Sequence, residues 1–284
     1  MSAAETEADT RRASGRVSAL AAVRFLAIAA TTYLGLLAVT FFIGRVVPID
    51  PVLAVLGDRA PASVVERTRR EMGLDLPLIE QFYIYLKGVL AGDFGRSVLT
   101  TNPVMDDIRR VFPATIELAT LGTLIGSLVG VPLGVLAAVK RDSLADQTVR
   151  VVGLIGYSVP IFWLGLLSLV LFYAKLHWAA FPGRVDIVYE YSFTPVTGFF
   201  LLDAAMQGQW EVFHDLLRHI LLPAALLGYF SLAYISRMTR SFMLNELSQE
   251  YIVAARAKGL SETRIIWGHA LRNAAVPLVT VIAL

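Results

Sequence analysis

Long apolar stretches constrain this chain more than any other feature of its sequence. A helix needs about 20 apolar residues to cross the ~30 Å hydrocarbon core of a bilayer, and several stretches reach or approach that length. The sequence is 56% hydrophobic and only 17% charged, which is too apolar for an ordinary soluble domain. It therefore predicts an all-α polytopic membrane protein. The first three predicted spans are residues 23–47, 114–139 and 151–174. A fourth has residues 220–235 as its charge-free part and is extended at both ends by Leu216, Leu217 and Phe242, and an apolar run follows at 274–284.

The first apolar stretch follows a polar segment that contains Arg11, Arg12 and Arg16. Basic residues before an apolar core are also typical of a signal peptide. The core is too long for that, and no small-residue cleavage pattern follows it, so we favour an uncleaved anchor. Residues 1–22 are rich in Ala, Ser and Thr, and we predict that they are disordered.

Residues 48–113 are predicted to form a helical insertion outside the bilayer. One amphipathic helix is expected from Ser63, which begins a capping box, to Gly73. Two more are expected over 78–90 and 103–111. The insertion could cover the membrane domain as a lid, or it could dock an extracytoplasmic partner, and both interpretations are open at this stage.

The second span carries a glycine every four residues on one helical face, at Gly122, Gly126, Gly130 and Gly134. Side-chain-free positions let two helix backbones meet closely, so the stripe predicts a helix-packing seam, with a substrate path as the alternative.

Glu117, near the start of the same span, follows Pro113 by about one helical turn. We interpret it as a favourable charge at a helix N-terminus, with substrate contact as the alternative.

The remaining spans contain helix-breaking signals. Pro160 predicts a kink in the third span, because proline removes a backbone donor and clashes with the preceding turn. Residues 175–215 form an acidic loop between the third and fourth spans. The run at 274–284 would rise only ~16 Å as a helix. We therefore predict that this sequence ends inside a fifth span.

A basic, water-compatible hairpin lies between the fourth span and the final apolar run, at residues 248–273. A first helix is expected over Tyr251–Lys258, which is rich in alanine. Gly259 then provides the left-handed residue that ends it, and the Ser261 hydroxyl is expected to cap a second helix. Its small alanine face would allow close approach of another surface, so we predict that this hairpin is bound by a partner.

The distribution of basic residues predicts the orientation of the chain. Lys and Arg concentrate in the N-terminus, in the 140–150 loop and at 237–272, and these regions alternate with the long insertion and the acidic loop. Because basic residues favour cytoplasmic loops, the N-terminus and the hairpin are expected in the cytoplasm. The insertion and the 175–215 loop are then extracytoplasmic.

Several kinds of chemistry find no support in the sequence. There is no G-x-x-x-x-G-K-[ST] phosphate loop, H-E-x-x-H or G-x-S-x-G motif, and cysteine is absent. The four histidines form no ligand-like pairs with carboxylates inside a span. The middles of the spans carry almost no acidic residues, which argues against ion coupling. We expect no enzyme activity, no cofactor, no metal site and no nucleic-acid partner.

The hairpin also carries a family resemblance. Val253-Ala254-Ala255, three further residues and Gly259 resemble the E-A-A motif in the cytoplasmic loop of ABC importer permeases, although the acidic first position is Val253. The sequences ARAKGL and HALRNA look like the dipeptide/oligopeptide branch of that family. Three other stretches agree with this branch in the expected order: REMGLDLPLIEQFYIYL at 70–86, GDFGRS at 92–97 and SVPIFWLGLL at 158–167.

The resemblance implies a type I ABC importer transmembrane domain with six spans, of which residues 114–284 form the permease core. A helix of the 244–273 loop would be the coupling helix that sits in a cleft of a cytoplasmic ATPase. The implied partners are a second permease of similar fold, one or two ATP-binding subunits, an extracytoplasmic solute-binding protein and the lipid bilayer. The implied ATPase-coupling residues are Tyr251, Ala254, Ala255, Arg256, Ala257, Gly259, Leu260 and Ser261.

The function implied by the resemblance is ATP-driven uptake of di- or oligopeptides through a bacterial inner membrane. Similar permeases handle nickel, opines and glutathione, so the substrate class stays open. The alternative is an ion-coupled carrier or a channel in which the hairpin only connects two spans. Uptake with ATP depleted and an ion gradient intact would separate these functions.

Overall fold

A computed structural model describes residues 3–46, 51–57, 60–97 and 99–283. The chain divides into two compact units, Met1–Ile108 and Arg109–Leu284, and every regular element in the described ranges is helical. The helices are α1 (Ala3–Val46), α2 (Pro51–Leu56), α3 (Ala62–Glu71), α4 (Leu78–Leu90), α5 (Val104–Val139), α6 (Leu144–Ser158), α7 (Ile161–Ser168), α8 (Ile187–Glu190), α9 (Phe200–Met206), α10 (Trp210–Leu247), α11 (Glu250–Ala257) and α12 (Leu271–Ala283). Two π-helical segments, Leu169–Lys175 and Arg264–Ala270, follow α7 and precede α12.

The structure differs from the sequence-based expectation at the N-terminus. We expected disorder over residues 1–22, but α1 is continuous from Ala3 to Val46; Met1 and Ser2 lie outside the described residues. Alanine and arginine are strong helix formers, and extending an existing apolar helix avoids the cost of a new nucleus. The apolar part of α1, Leu20–Gly44, is almost entirely exposed. Lipid is the environment in which such a surface is stable.

The insertion contains the second predicted amphipathic helix at its expected bounds, as α4. The first, α3, begins at Ala62, so Ser63 lies inside the helix and the predicted capping box is wrong; Pro61 precedes the helix, and Gly73 follows it in the left-handed region with φ +63°. Aromatic rings join α1 to α4: the Phe41 ring lies 5.3 Å from that of Phe82.

The third predicted amphipathic helix and the second span are one element. α5 runs for 36 residues from Val104 to Val139, with Pro113 and Pro132 inside it. The expected boundary at residue 113 therefore does not exist. Glu117 lies well inside α5 and has no helix N-terminus beside it, which corrects our first interpretation of its charge.

The glycine stripe of α5 lies against α10. A Cβ atom at Gly134 would lie 2.5 Å from Thr239 Cβ, and one at Gly126 would lie 2.6 Å from Ser231 Cβ. Gly228 of α10 is in the same seam, where a Cβ atom would lie 2.7 Å from Ile125 Cγ2. We propose that the stripe serves to bring these two backbones together, since dispersion contacts replace the hydrophobic effect between helices in lipid.

The third predicted span is broken rather than kinked. α6 and the helical stretch Ile161–Lys175 meet at 98° across Val159 and Pro160. Val159 adopts an extended conformation, with φ −97° and ψ 127°, as expected before a proline ring that disfavours helical geometry. Among the described residues, four helices are long and apolar enough to cross a membrane, or five spans if the bent pair counts as one.

The 175–215 loop is attached to α5 by Glu117. Its carboxylate accepts a hydrogen bond from Arg184 Nη2 at 3.0 Å and one from the Leu201 backbone N–H at 2.9 Å. The Arg184 guanidinium also lies 3.6 Å from the centre of the Phe200 ring. Asp203, fully buried, accepts backbone hydrogen bonds from residues 196–198. The loop is therefore an ordered structure, held by two carboxylates.

Gly134→Ala should destabilise the protein, because the new methyl group would meet Thr239 Cβ and the Ser236 carbonyl oxygen, at 2.5 and 2.6 Å. We expect a loss of about 1–3 kcal/mol in the free energy of unfolding, measured by thermal or denaturant unfolding in detergent. Gly165→Ala is the matched control, since a Cβ atom there has no heavy atom within 4 Å. Equal stability of the two variants would contradict the close approach of α5 and α10.

Glu117→Gln should loosen the 175–215 loop, because a neutral amide is a weaker partner for Arg184 and Leu201. Hydrogen bonds to charged groups contribute about 1.5–3 kcal/mol each. Hydrogen exchange at residues 196–203 should accelerate while that of α10 does not. Glu190→Gln, an exposed carboxylate in the same loop, should leave exchange unchanged; slow exchange in both variants would show that Glu117 does not hold the loop.

Candidate coupling hairpin

The 248–273 hairpin begins where α10 ends. α11 occupies Glu250–Ala257, within one residue of the start and end expected from the sequence. The chain turns at Gly259, and a second helical arm includes the π-helical segment Arg264–Ala270 and continues into α12. The hairpin thus joins two helices that are apolar enough to span a membrane.

The turn at Gly259 is a Schellman motif. The Leu260 N–H donates to the Ala255 carbonyl at 3.3 Å, and the Gly259 N–H donates to the Arg256 carbonyl at 2.9 Å. Gly259 adopts φ +78°, which is strained for residues with a Cβ atom. These bonds satisfy carbonyls at the end of α11 that would otherwise lack partners.

Ser261 immediately precedes the second helical arm, which begins at Glu262, so it occupies the predicted N-cap position. Its backbone carbonyl accepts from the Ile265 N–H at 3.0 Å, the first hydrogen bond of the helix, and the described contacts include no hydrogen bond to its hydroxyl. Its side chain is exposed. Ser261 is therefore available on the surface of the hairpin.

One face of the hairpin packs into the protein. Ile252 and Ile265 are fully buried and form a cluster with Met243 of α10 and with Val135 and Ala138 at the end of α5. Burying a side chain of this size contributes about 1.5–3 kcal/mol. The hairpin is therefore fixed to the ends of two apolar helices by its own apolar residues.

The opposite face of the hairpin is exposed and carries most of the predicted coupling residues. Ala255 and Leu260 are the exceptions, because they are partly buried at the edge of the internal cluster. Val253, which was not among the predicted coupling residues, is 61% exposed on this face. The exposed predicted residues are Tyr251, Ala254, Arg256, Ala257, Gly259 and Ser261.

Two polar contacts brace the exposed face. Arg256 binds both carboxylate oxygens of Glu262, at 2.8 and 3.2 Å, which lowers the pKa of Glu262 and raises that of Arg256. The Glu262 contribution is present above the ordinary carboxylate pKa and is lost as the pH falls through the lowered value. It is small, because the pair is solvated. Burial and a 2.6 Å hydrogen bond to Glu246 raise the pKa of the Tyr251 hydroxyl.

An ion pair that the sequence did not indicate joins α6 to α10. Asp146 of α6 is fully buried, and both of its oxygens accept from Arg240 of α10 at 2.7 Å. Asp146 also accepts from the Asp142 N–H at 3.0 Å, which closes the turn between α5 and α6. Ser143 caps α6 three residues before Asp146, a spacing that the sequence displays. Nothing in the sequence indicated Arg240 as its partner.

The described residues contain no cluster of three or more His, Asp or Glu side chains that could hold a metal ion. The helices and the exposed hairpin define a multi-pass, all-α membrane protein with a solvated hairpin fixed to its helix ends.

Comparison with known proteins identifies the family. Residues 130–284 match the family "Binding-protein-dependent transport system inner membrane component", and residues 20–119 match its N-terminal companion, "Binding-prot-dependent transport system membrane comp, N-term". The chain belongs to the binding-protein-dependent transport system inner membrane component family.

Curated relatives cover most of the chain. It is 44% identical over 246 residues to the "Probable D,D-dipeptide transport system permease protein DdpB" of Escherichia coli, covering 87% of this chain and 72% of that protein. It is 43% identical over 247 residues to the "Di/tripeptide transport system permease protein DppB" of Pseudomonas aeruginosa, covering 86% and 73%. The "Dipeptide transport system permease protein DppB" of Haemophilus influenzae is 42% identical over 247 residues, covering 87% and 73%.

Gly259→Ala should unfold the turn of the hairpin locally. The site has open space for a methyl group, so the expected cost of about 1–2 kcal/mol comes from the left-handed backbone alone. Amide hydrogen exchange at residues 255–263 should accelerate. Gly268→Ala is the matched control, because its nearest neighbour is Arg264 Cγ at 3.8 Å and its φ is not positive. Unchanged exchange in Gly259→Ala would contradict the turn described above.

Proposed function

We propose that this chain is the membrane-spanning subunit of an ATP-driven, binding-protein-dependent importer of di- or oligopeptides. Its relatives are named as dipeptide, D,D-dipeptide and di/tripeptide permeases, and they cover most of the chain. Nickel, opines and glutathione stay open as other substrates. The observation that carries the coupling part of the proposal is the two-sided hairpin, solvated on one face and packed onto α5 and α10 on the other.

The exposed face of α11 would be the surface that a cytoplasmic ATPase binds. Ala254 and Ala257 present only methyl groups there, so a partner could approach the α11 backbone closely. Tyr251 and Arg256 add polar contacts at the edges, and each is already oriented by a neighbouring carboxylate. An oriented side chain loses less conformational entropy when a partner binds.

The packed face would transmit movement of the ATPase to the membrane helices. Ile252 and Ile265 lie in one cluster with Met243 of α10 and Val135 of α5. Close-packed interiors transmit displacement because they are hardly compressible. Ala255 and Leu260 would therefore act from inside, by holding α11 on this cluster, and not by touching the partner. Coupling then requires that the ATPase bind the two states of the bundle with different affinities.

The same proposal assigns orientation and partners. The hairpin and the N-terminus would face the cytoplasm, as the basic residues favour. The insertion and the 175–215 loop would face outward, where a solute-binding protein delivers cargo. A second permease of similar fold would complete the path, and one or two ATPase subunits would bind on the cytoplasmic side. The ATPases would hydrolyse ATP, and this chain would supply the path.

Ala254→Glu should weaken ATPase binding and uptake together, because it places a longer, charged side chain on the proposed contact face. We expect at least a tenfold loss, since an unpaired charge in an interface costs several kcal/mol. Co-purification with the ATPase and peptide uptake in membrane vesicles would be measured together. Gln147→Glu is the control, because it adds the same charge at an exposed position of α6 outside the hairpin.

Two outcomes would contradict the proposal. If Ala254→Glu retains ATPase binding, the exposed face of α11 is not the docking surface. If uptake persists with ATP depleted and an ion gradient intact, the chain is an ion-coupled carrier. Both measurements use vesicles in which membrane levels of the variant and parent proteins have been matched.

A further inference from the structure

A cavity of about 420 Å³ lies between α6 and α10. Val149, Leu154, Ala233 and Leu244 line its apolar part. The cavity does not include any residue of the 248–273 hairpin. The packing and coupling roles described above leave it without a function.

The cavity is electrically positive. Arg150, Arg237 and Arg240 are among its lining residues, and no carboxylate is among them. Asp146, which is not part of the lining, neutralises the charge of Arg240 through two hydrogen bonds. Arg150 and Arg237 form no salt bridge among the residues that the structure describes, although Asp146 attracts Arg150 at longer range. The site therefore carries a net positive charge that an anion would balance.

Arg237 is held in a position from which it can bind an anion. Its guanidinium lies 4.8 Å from the centre of the Tyr157 ring and 5.8 Å from that of Tyr234. A cation–π contact uses the face of the guanidinium and leaves its N–H edge free for an oxyanion. No hydrogen bond from Arg237 to another described residue occupies that edge.

The position of Arg237 along α10 corresponds to the membrane interface. α10 carries no charged residue from Ile220 to Ile235, and these 16 residues rise about 24 Å. Arg237 is the first charged residue after this stretch, on the side of the hairpin. Phosphate groups of a bilayer lie at this level, next to the ~30 Å hydrocarbon core.

We propose that this cavity binds an anionic phospholipid, with the headgroup phosphate on Arg150 and Arg237 and an acyl chain along the apolar part between α6 and α10. Basic pockets between membrane helices are a recognised site for anionic headgroups. Leu154 of the lining is 65% exposed, and Val151 of the same helix is 56% exposed, so an acyl chain would find further apolar surface on α6.

A transported peptide fits the cavity less well than a lipid. A di- or oligopeptide carries an ammonium group as well as a carboxylate, and the lining offers no carboxylate to bind the ammonium group. A phosphatidylglycerol molecule carries one negative charge and no positive one, and its acyl chains match the apolar wall. The proposal concerns lipid binding and does not depend on the substrate of the transporter.

The test uses the full chain in nanodiscs of phosphatidylcholine with phosphatidylglycerol, and it counts retained lipids by native mass spectrometry. The parent protein should retain phosphatidylglycerol selectively. The Arg150→Gln/Arg237→Gln double variant should bind it more weakly, by about fivefold for each guanidinium removed. Phosphatidylcholine retention should not change. Arg150→Lys/Arg237→Lys keeps both charges and should retain most of the binding, which separates lost charge from lost folding.

A matched control and a competitor make the test decisive. Arg141→Gln removes a basic residue from the turn that precedes α6. This residue is exposed, paired with Asp142 and absent from the cavity lining, so its loss should leave lipid retention unchanged. An equal loss in this variant would show a diffuse basic surface and overturn the proposal. Displacement of phosphatidylglycerol by an added dipeptide would also overturn it, in favour of a peptide site.

Discussion

The close approach of α5 and α10 is the contact on which the rest of the membrane unit depends. It exists because glycines on both helices remove the side chains that would separate their backbones. Neighbouring contacts run from Gly122 beside Leu227 to Gly134 beside Thr239, so the two helices run parallel. Parallel neighbours require the chain between them to return across the membrane, and the bent pair of α6 and the Ile161–Lys175 stretch is the part able to do so.

Ion pairs fix the two ends of this arrangement. Glu117 and Arg184 connect α5 to the loop at one end, and Asp146 and Arg240 connect α6 to α10 near the hairpin. A buried pair often adds little net stability, because desolvation offsets the attraction. Its geometry is nevertheless demanding, and one wrong register would leave a buried charge unpaired. We interpret both pairs as determinants of register, since apolar contacts alone would permit sliding between helices.

The sequence predicts those features that have a local cause. Gly259 ends α11 because the left-handed turn needs no Cβ atom, and α4 has its expected bounds because its periodicity and flanking residues agree. Expectations failed where longer-range packing decides: Pro113 was expected to start a helix but lies within α5. Likewise, the arginine partners of Glu117 and Asp146 lie 67 and 94 residues away in the chain, and a local sequence pattern cannot indicate contacts at that separation. Ala255 looked like a surface residue because alanine fits either face of a helix; only the buried Ile252 and Ile265 fix which face turns inward.

Under the proposed function, the two faces of the hairpin would assign docking and transmission to different residues. A docking surface must stay solvated when its partner is absent, which favours small and polar side chains. A surface that transmits movement must not deform under load. This favours fully buried aliphatic residues that pack on the membrane helices. An eight-residue helix can satisfy both demands only if its ends are fixed, since short isolated helices are unstable in water. The Schellman turn at Gly259 fixes one end, and the Tyr251–Glu246 contact holds the other against α10.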